Sequence, residues 1–159
     1  MKFLTVFFAS MMMFFQTSTK GIRESFEHAG NSVEQAEAFY NQTLKLGDSD
    51  LANAYVGGAL ITKAKFEKGV KNKKALIVKG AGLLDEAVAN KPKDIEIRLV
   101  RLIIQEHVPN IVKYKSNIQE DKKVIIENYS SQSADIKKWI SSYAKESKAF
   151  TAEERKKLL

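Results

Sequence analysis

The feature that most constrains this chain is an apolar stretch at residues 94–108, DIEIRLVRLIIQEHV. Seven of the residues before His107 are Ile, Leu or Val. Such a run forms either a buried strand or a buried helix, and periodicity alone does not separate the two. Its length, and the spacing of Arg98, Arg101 and Gln105 along one helical stripe, favour a helix. Because a helix that is apolar on most sides is enclosed by others, the stretch predicts the central helix of an all-α bundle or short solenoid.

A helix with two adjacent glycines is predicted over residues 50–68. Each glycine inside a helix costs about 1 kcal/mol relative to alanine, so Gly57 and Gly58 need a compensating contact. Close packing of a second helix is one explanation, and a functional contact with the glycine backbone is the alternative.

The next predicted helix, over residues 74–90, carries a repeat-like pattern. Gly80, Leu84, Ala87 and Pro92 have the spacing of the second half of a tetratricopeptide repeat. In that pattern a small residue lets two antiparallel helices touch, a large one fills the groove between them, and proline ends the helix. The sequence therefore predicts an antiparallel, tetratricopeptide-like helix hairpin.

Further helices are expected on both sides of this core. An early helix should pack through an apolar face, formed by Val33, Ala36, Tyr40 and Leu44. Later helices should begin at two capping boxes, one at Asn117 with Glu120 and one at Thr151 with Glu154. No segment alternates with period two, so no sheet is expected. The predicted division is residues 20–48 as an N-terminal helical segment, 49–130 as the tetratricopeptide-like core and 131–159 as C-terminal helices.

The first 19 residues are predicted to be a secretory signal peptide. Lys2 precedes 13 mostly apolar residues, 3–15, and a small polar stretch follows. The run is shorter than the roughly 20 apolar residues that span a bilayer, although an uncleaved anchor is the alternative. The chain is therefore expected to be exported, to the periplasm or beyond the cell, with no transmembrane span after signal removal. It contains no cysteine, which excludes disulfides, thiol nucleophiles and Cys-ligated zinc.

The chain is basic, with a net charge of +7. Lysine outnumbers arginine 22 to 4, and because arginine is the usual choice for bidentate phosphate contacts, no nucleic-acid partner is expected. The most basic stretch is residues 63–79, in which Gly69 and Asn72 are expected to interrupt the helices. It is either a solvated loop rich in lysine or a surface that binds anionic lipid or polysaccharide, through Lys68, Lys71, Lys73 and Lys74.

Two sequence blocks carry a resemblance to a known family. Residues 95–105, IEIRLVRLIIQ, and 117–122, NIQEDK, together with the LLDEAV block at 83–88, resemble an uncharacterised family of exported bacterial α-helical proteins. The resemblance covers roughly residues 50–130. It implies a secreted, tetratricopeptide-like fold and no known activity.

The sharpest polar constellation is Arg98, Arg101, Asn117 and Asp121. The two arginines lie one helical turn apart, and Asn117 and Asp121 are also separated by one turn. If their helices pack together, Asp121 pairs with an arginine. One interpretation is that the set is a clamp that fixes the register of the two helices, because buried charges must be paired. The alternative is a polar pocket in which an unpaired arginine binds a carboxylate or phosphate.

Enzyme chemistry has little support in the sequence. His28 and His107 are the only histidines, and no glycine-rich phosphate loop, zinc motif or nucleophile elbow occurs. No metal or cofactor is therefore predicted. The favoured hypothesis is a protein-binding module of the cell envelope, with another envelope protein as its partner. The alternatives are a small ligand-binding protein or enzyme that uses Arg98 and Arg101, and a lysine-rich protein that binds anionic surfaces.

Overall fold

The computed structural model describes residues 20–159, and the predicted signal peptide lies outside the described residues. All regular structure in the described part is helical, which confirms the all-α class. None of its helices is long and apolar enough to cross a membrane. The helices are α1 (residues 20–28), α2 (Val33–Thr43), α3 (Asp50–Ala64), α4 (Val70–Asn90), α5 (Ile95–His107), α6 (Ile118–Asn128), α7 (Ala134–Glu146) and α8 (Ala152–Lys156), with single 3-10 turns at Asn110–Val112 and Tyr129–Ser131.

Helices α3 and α4 form the predicted antiparallel hairpin. The side-chain amide of Asn90 donates to Asp50 at 2.8 Å, so the last turn of α4 lies beside the first turn of α3. Near their middles, a Cβ atom added to Gly80 would lie 2.5 Å from the carbonyl oxygen of Gly57. The glycines therefore allow direct backbone contact between the two helices, as the sequence predicted.

The lysine-rich stretch is mostly helix, and the predicted break at Asn72 is wrong. Helix α3 ends at Ala64, and α4 begins at Val70, before the predicted start at residue 74. Gly69 accounts for the early start, because its φ of +83° turns the chain immediately before the helix. Asn72 then lies on an exposed face, where its low helix propensity is tolerated.

Helix α5 is the central helix. The Asp94 side chain accepts hydrogen bonds from the backbone of Glu96 and Ile97 at 3.0 and 3.1 Å, which starts the helix. Val108 is extended before Pro109 and ends it. Ten of its thirteen residues are buried, and they include charged side chains as well as aliphatic ones. The prediction of an enclosed helix is confirmed.

The apolar face predicted for α2 is wrong in part. Val33 and Leu44 are 50% and 57% exposed, whereas Ala36, Phe39 and Thr43 are buried. Phe39 sets this orientation, because its ring stacks on Phe26 with centroids 5.2 Å apart and therefore turns α2 toward α1. The buried stripe is rotated away from the predicted one.

The C-terminal helices cover the other side of the core. Ile136, Trp139 and Ile140 of α7 are buried and form the side of the helix that faces the core. The Thr151 capping box starts α8 as predicted, with the Glu154 carboxylate accepting from the Thr151 backbone at 2.7 Å.

Candidate functional site

The structure brings Arg98, Arg101 and Asp121 together inside the protein. Arg101 donates to both carboxylate oxygens of Asp121, from Nε at 2.8 Å and from Nη2 at 2.7 Å. Arg98 donates from Nη1 to the same carboxylate at 2.8 Å. Asp121 is fully buried and each arginine is 4% exposed. One carboxylate of α6 therefore holds two guanidinium groups of α5.

A second layer of acceptors surrounds the two arginines. Arg98 also donates to Glu120 at 2.6 Å and to the carbonyl oxygen of Pro92 at 3.0 Å. Arg101 also donates to Asp85 of α4 at 3.0 Å, and Asp85 accepts from the Tyr114 hydroxyl. Burial raises the pKa of that phenol, and the Asp85 carboxylate raises it further. Both guanidinium groups are thus paired, and the geometry supports a clamp on helix register more than a pocket with a free arginine.

Asn117 does not cap α6 as predicted. Its side chain makes no capping hydrogen bond to α6, so the predicted capping box with Glu120 is wrong. The backbone of Asn117, at φ −100° and ψ 2°, is not in the extended conformation usual for a capping residue. Its side-chain oxygen instead accepts from Gln105 of α5 at 3.3 Å. The residue therefore joins α6 to α5 beside the arginines.

A second buried charge cluster lies at the other side of α5, and sequence reasoning missed it. Arg23 of α1 donates from Nε and Nη2 to the two oxygens of Glu96, both at 2.8 Å. The Tyr55 hydroxyl of α3 donates to the same carboxylate at 2.7 Å. Burial, followed by the Glu96 charge, raises the pKa of Tyr55 well above its ordinary value. In the sequence, Glu96 stands out only as an acidic residue among the aliphatic residues of the stretch that also contains Arg98 and Arg101.

One concave surface of the described residues is an open groove of about 1010 Å³. Its lining comes from α1, α3, α4, α5, α7 and the 3-10 turn after α5. The apolar lining consists of Phe26, Ile61, Ala64, Ile77, Ile103, Ile104, Val108, Pro109, Ile111, Val112, Trp139 and Tyr143. We refer to this surface as the α-groove. Its volume reaches the upper end of typical ligand sites, which are about 300–1,000 Å³.

Glu106 fixes one wall of the α-groove. Its carboxylate accepts hydrogen bonds from the Tyr143 hydroxyl, from Ser147 Oγ at 2.6 Å and from the Lys148 backbone at 2.6 Å. Burial alone would raise the pKa of Glu106, but these three donors outweigh burial and lower it. The end of α7 is thereby tied to the end of α5, and the Tyr143 ring is held in the groove wall.

Charges of both signs surround the apolar lining. Helix α4 contributes Lys73, whereas α1 and α7 contribute the exposed carboxylates of Glu27 and Glu146. Lys65 also lines the groove, but its ammonium donates to the carbonyl oxygen of Gly30 at 2.7 Å. An occupant with one apolar face, bordered by an acidic and a basic side chain, would match this distribution.

The predicted anion-binding lysines lie at the start of α4 and just before it. Lys68, Lys71, Lys73 and Lys74 are all exposed, and none forms a salt bridge within residues 20–159. Of the four, Lys73 alone also lines the α-groove. The anion-binding prediction and the groove are therefore distinct surfaces that meet at one residue.

The part of the chain that the structure describes contains no group of three or more metal-ligating His, Cys, Asp or Glu side chains. Comparison of the chain with protein-family models, with curated proteins and with solved structures gave no match. The resemblance carried by residues 95–105 and 117–122 stays a prediction.

Proposed function

We propose that this chain is a binding protein that seats an amphipathic helix of a partner protein in the α-groove. The observation that carries the proposal is the groove itself, an apolar cleft of about 1010 Å³ between helices that two buried charge clusters join. An amphipathic helix laid into a hydrophobic groove is a recurring mode of recognition between proteins.

The size of the α-groove suits a short helical segment. Two turns of helix extend about 11 Å, and with side chains the cylinder is about 10 Å wide, which gives a volume of roughly 850 Å³. The groove volume of about 1010 Å³ is therefore large enough for about two turns. The apolar face of such a segment would replace water over the aliphatic lining, which is the main favourable term in association.

Aromatic anchors and charges specify the partner further. Trp139 and Tyr143 line the groove, and aromatic residues of this kind dominate binding energy at protein interfaces. Lys73 attracts an acidic side chain at one edge of the partner helix, and Glu27 and Glu146 attract basic ones. The expected partner segment therefore has an apolar stripe with both acidic and basic neighbours.

The cellular setting is part of the same proposal. The predicted signal peptide supports export, and an envelope protein is then the expected partner. The close glycine contact of the α3–α4 hairpin supports the tetratricopeptide-like interpretation, because packing of small residues defines that repeat. The Arg98 and Arg101 pocket is the less supported alternative, because both guanidinium groups are already paired.

Trp139 provides a direct test, since it is the only tryptophan of the chain. A synthetic amphipathic peptide with a leucine stripe flanked by Lys and Glu should change the Trp139 emission saturably. A peptide of the same composition in scrambled order is the control, and a long-chain fatty acid tests for a small apolar ligand. Equal binding of both peptides, or binding of the fatty acid alone, would contradict the proposal.

A matched pair of variants locates the binding site. Ile111 is 88% exposed at the groove edge, so Ile111→Asp should leave the fold intact and weaken peptide binding about tenfold or more. Leu44→Asp introduces the same change at a 57% exposed position outside the groove lining and should leave binding unchanged. Equal effects of the two substitutions would place the binding site elsewhere.

A further inference from the structure

Most of the first half of α4 lies outside the α-groove, since only Lys73 and Ile77 of residues 70–79 line the groove. All buried residues of α4 lie at or after Gly80, where the helix meets α3. Residues 70–79 precede that contact, and not one of them is buried. At 1.5 Å per residue they form about 15 Å of helix with a free outer face. We refer to residues 70–79 as the α4 arm.

The outer face of the α4 arm combines valine with lysine. Val70, Lys74 and Val78 follow one another at intervals of four residues, and Lys71 lies on the same side of the helix. Val70 is 83% exposed and Val78 is 61% exposed, and they are among the few large apolar side chains in the described residues that face solvent. Two aliphatic side chains and two ammonium groups therefore share one exposed face.

The charge of the α4 arm is all of one sign. It carries four lysines and no acidic residue, and the next carboxylate along the helix is Asp85. Lys68 precedes the arm, and the helix N-terminus adds a partial positive charge of its own. Within residues 20–159 the lysines of the arm form no salt bridge, so their charge is available to a partner.

We propose that the α4 arm docks on the surface of an anionic phospholipid bilayer. Lysine is attracted to anionic headgroups, at a strength that adds up residue by residue near the surface. Val70 and Val78 would reach the boundary of the acyl chains, as the apolar face of an interfacial helix does. A polysaccharide or nucleic acid satisfies the lysines equally well but provides no apolar layer for the valines. The lipid surface is therefore the occupant that accounts for both residue types.

Vesicle co-sedimentation of the full chain tests this inference. The protein should be retained on phosphatidylcholine vesicles that contain about a third phosphatidylglycerol, and less on pure phosphatidylcholine. Raising the salt concentration should release it, because exposed charges are screened over about 10 Å at 0.1 M. Equal retention on both kinds of vesicle would overturn the proposal. All variants keep the apolar residues 3–15, so the comparison between variants isolates the α4 arm.

Two double variants compare lysines of the α4 arm with exposed lysines outside it. Lys71→Gln with Lys74→Gln should weaken retention about 30-fold, whereas Lys91→Gln with Lys93→Gln, which removes the same charge from exposed positions outside the arm, should change it far less. Equal losses of retention from the two pairs would show that retention depends on the net charge of the protein alone. That result would overturn the assignment of lipid binding to the α4 arm.

The valines decide between lipid and other polyanions. Val70→Ser with Val78→Ser should reduce retention about tenfold or more while the melting temperature stays near that of the parent, since both side chains already face solvent. Retention that depends on salt but is unchanged by the valine substitutions would identify a general polyanion-binding surface and overturn the lipid assignment. The outcome does not depend on the α-groove, so failure here leaves the peptide-binding proposal standing.

Discussion

Gly57 and Gly80 approach so closely that a Cβ atom on Gly57 would lie 2.6 Å from the carbonyl oxygen of Gly80. The obstacle is backbone, which cannot rotate out of the way as a flexible side chain can. Any side chain at Gly57 therefore forces α3 and α4 apart. The same contact is the boundary between the packed half of α4 and the exposed α4 arm.

We expect Gly57→Ala to destabilise the protein. Overpacking of this kind costs about 1–3 kcal/mol, partly offset by the better helix propensity of alanine. Urea denaturation followed by circular dichroism measures the change. Gly82→Ala is the control, because a Cβ at Gly82 meets nothing within 4 Å and should stabilise α4 by up to about 1 kcal/mol. Changes of the same sign for both variants would contradict the role of the contact.

Local sequence patterns were sufficient for part of the fold. The two glycines inside α3 carried an energetic cost that required a close neighbour, and the apolar run of α5 required burial. The face of α2 was predicted less well. Val33 and Leu44 fit a helical stripe, but stacking of Phe39 on Phe26, thirteen positions away, decided which side faces the core.

Prediction of the candidate site required more knowledge of how the helices pack. The pairing of Arg98 with Asp121 could be predicted, because each residue lies on a recognisable helix stripe. The burial of Glu96 could not be predicted, since an acidic residue in the first turn of a helix is usual on electrostatic grounds alone. Its partner Arg23 is 73 positions away. The α-groove was out of reach for the same reason, because five separate helices contribute its lining.

Asp121 holds two buried guanidinium groups, and its removal should be costly. We expect Asp121→Asn to lower the free energy of unfolding by about 3–5 kcal/mol, because Arg98 and Arg101 then lose the charge that compensates for their burial. Thermal and urea denaturation measure the loss. Glu127→Gln is the control, since its side chain is 58% exposed and, within residues 20–159, pairs only with Lys123 at 3.9 Å. That change should stay within about 0.5 kcal/mol.

The Tyr55 hydroxyl should contribute through Glu96. Tyr55→Phe keeps the ring but leaves the buried carboxylate with one donor fewer, and we expect a loss of about 1.5–3 kcal/mol in the free energy of unfolding. Tyr40→Phe is the matched control, because the Tyr40 hydroxyl has no hydrogen-bond partner within residues 20–159. If both substitutions prove equally mild, Arg23 alone is sufficient to hold Glu96.

Glu106 should make stability depend on pH. Despite its burial, its three donors lower its pKa in the folded protein, so the unfolded chain takes up a proton at a higher pH than the folded chain does. The stabilisation is therefore present above the ordinary carboxyl pKa of about 4.5 and is lost as the pH falls through the folded pKa. We expect the stability difference between the parent and Glu106→Gln to shrink from pH 6 to pH 3.

Glu127→Gln again provides the comparison for the pH experiment. Its stability relative to the parent should stay nearly constant over the same range, since the Glu127 side chain is largely exposed. A constant difference for Glu106→Gln as well would mean that the hydrogen bonds from Tyr143, Ser147 and Lys148 do not favour the ionised carboxylate.

Helix α5 carries ions of opposite sign on its two sides, with Glu96 bound by α1 and α3 and Arg98 and Arg101 bound by α6. Detaching the helices on either side would break buried ion pairs and expose the apolar faces of α5 to water. States in which only one side of α5 is uncovered are therefore unfavourable in free energy. The N-terminal and C-terminal parts should accordingly unfold in one cooperative transition. The backbone amides of α5 should accordingly exchange their hydrogens for deuterium only when the whole molecule unfolds.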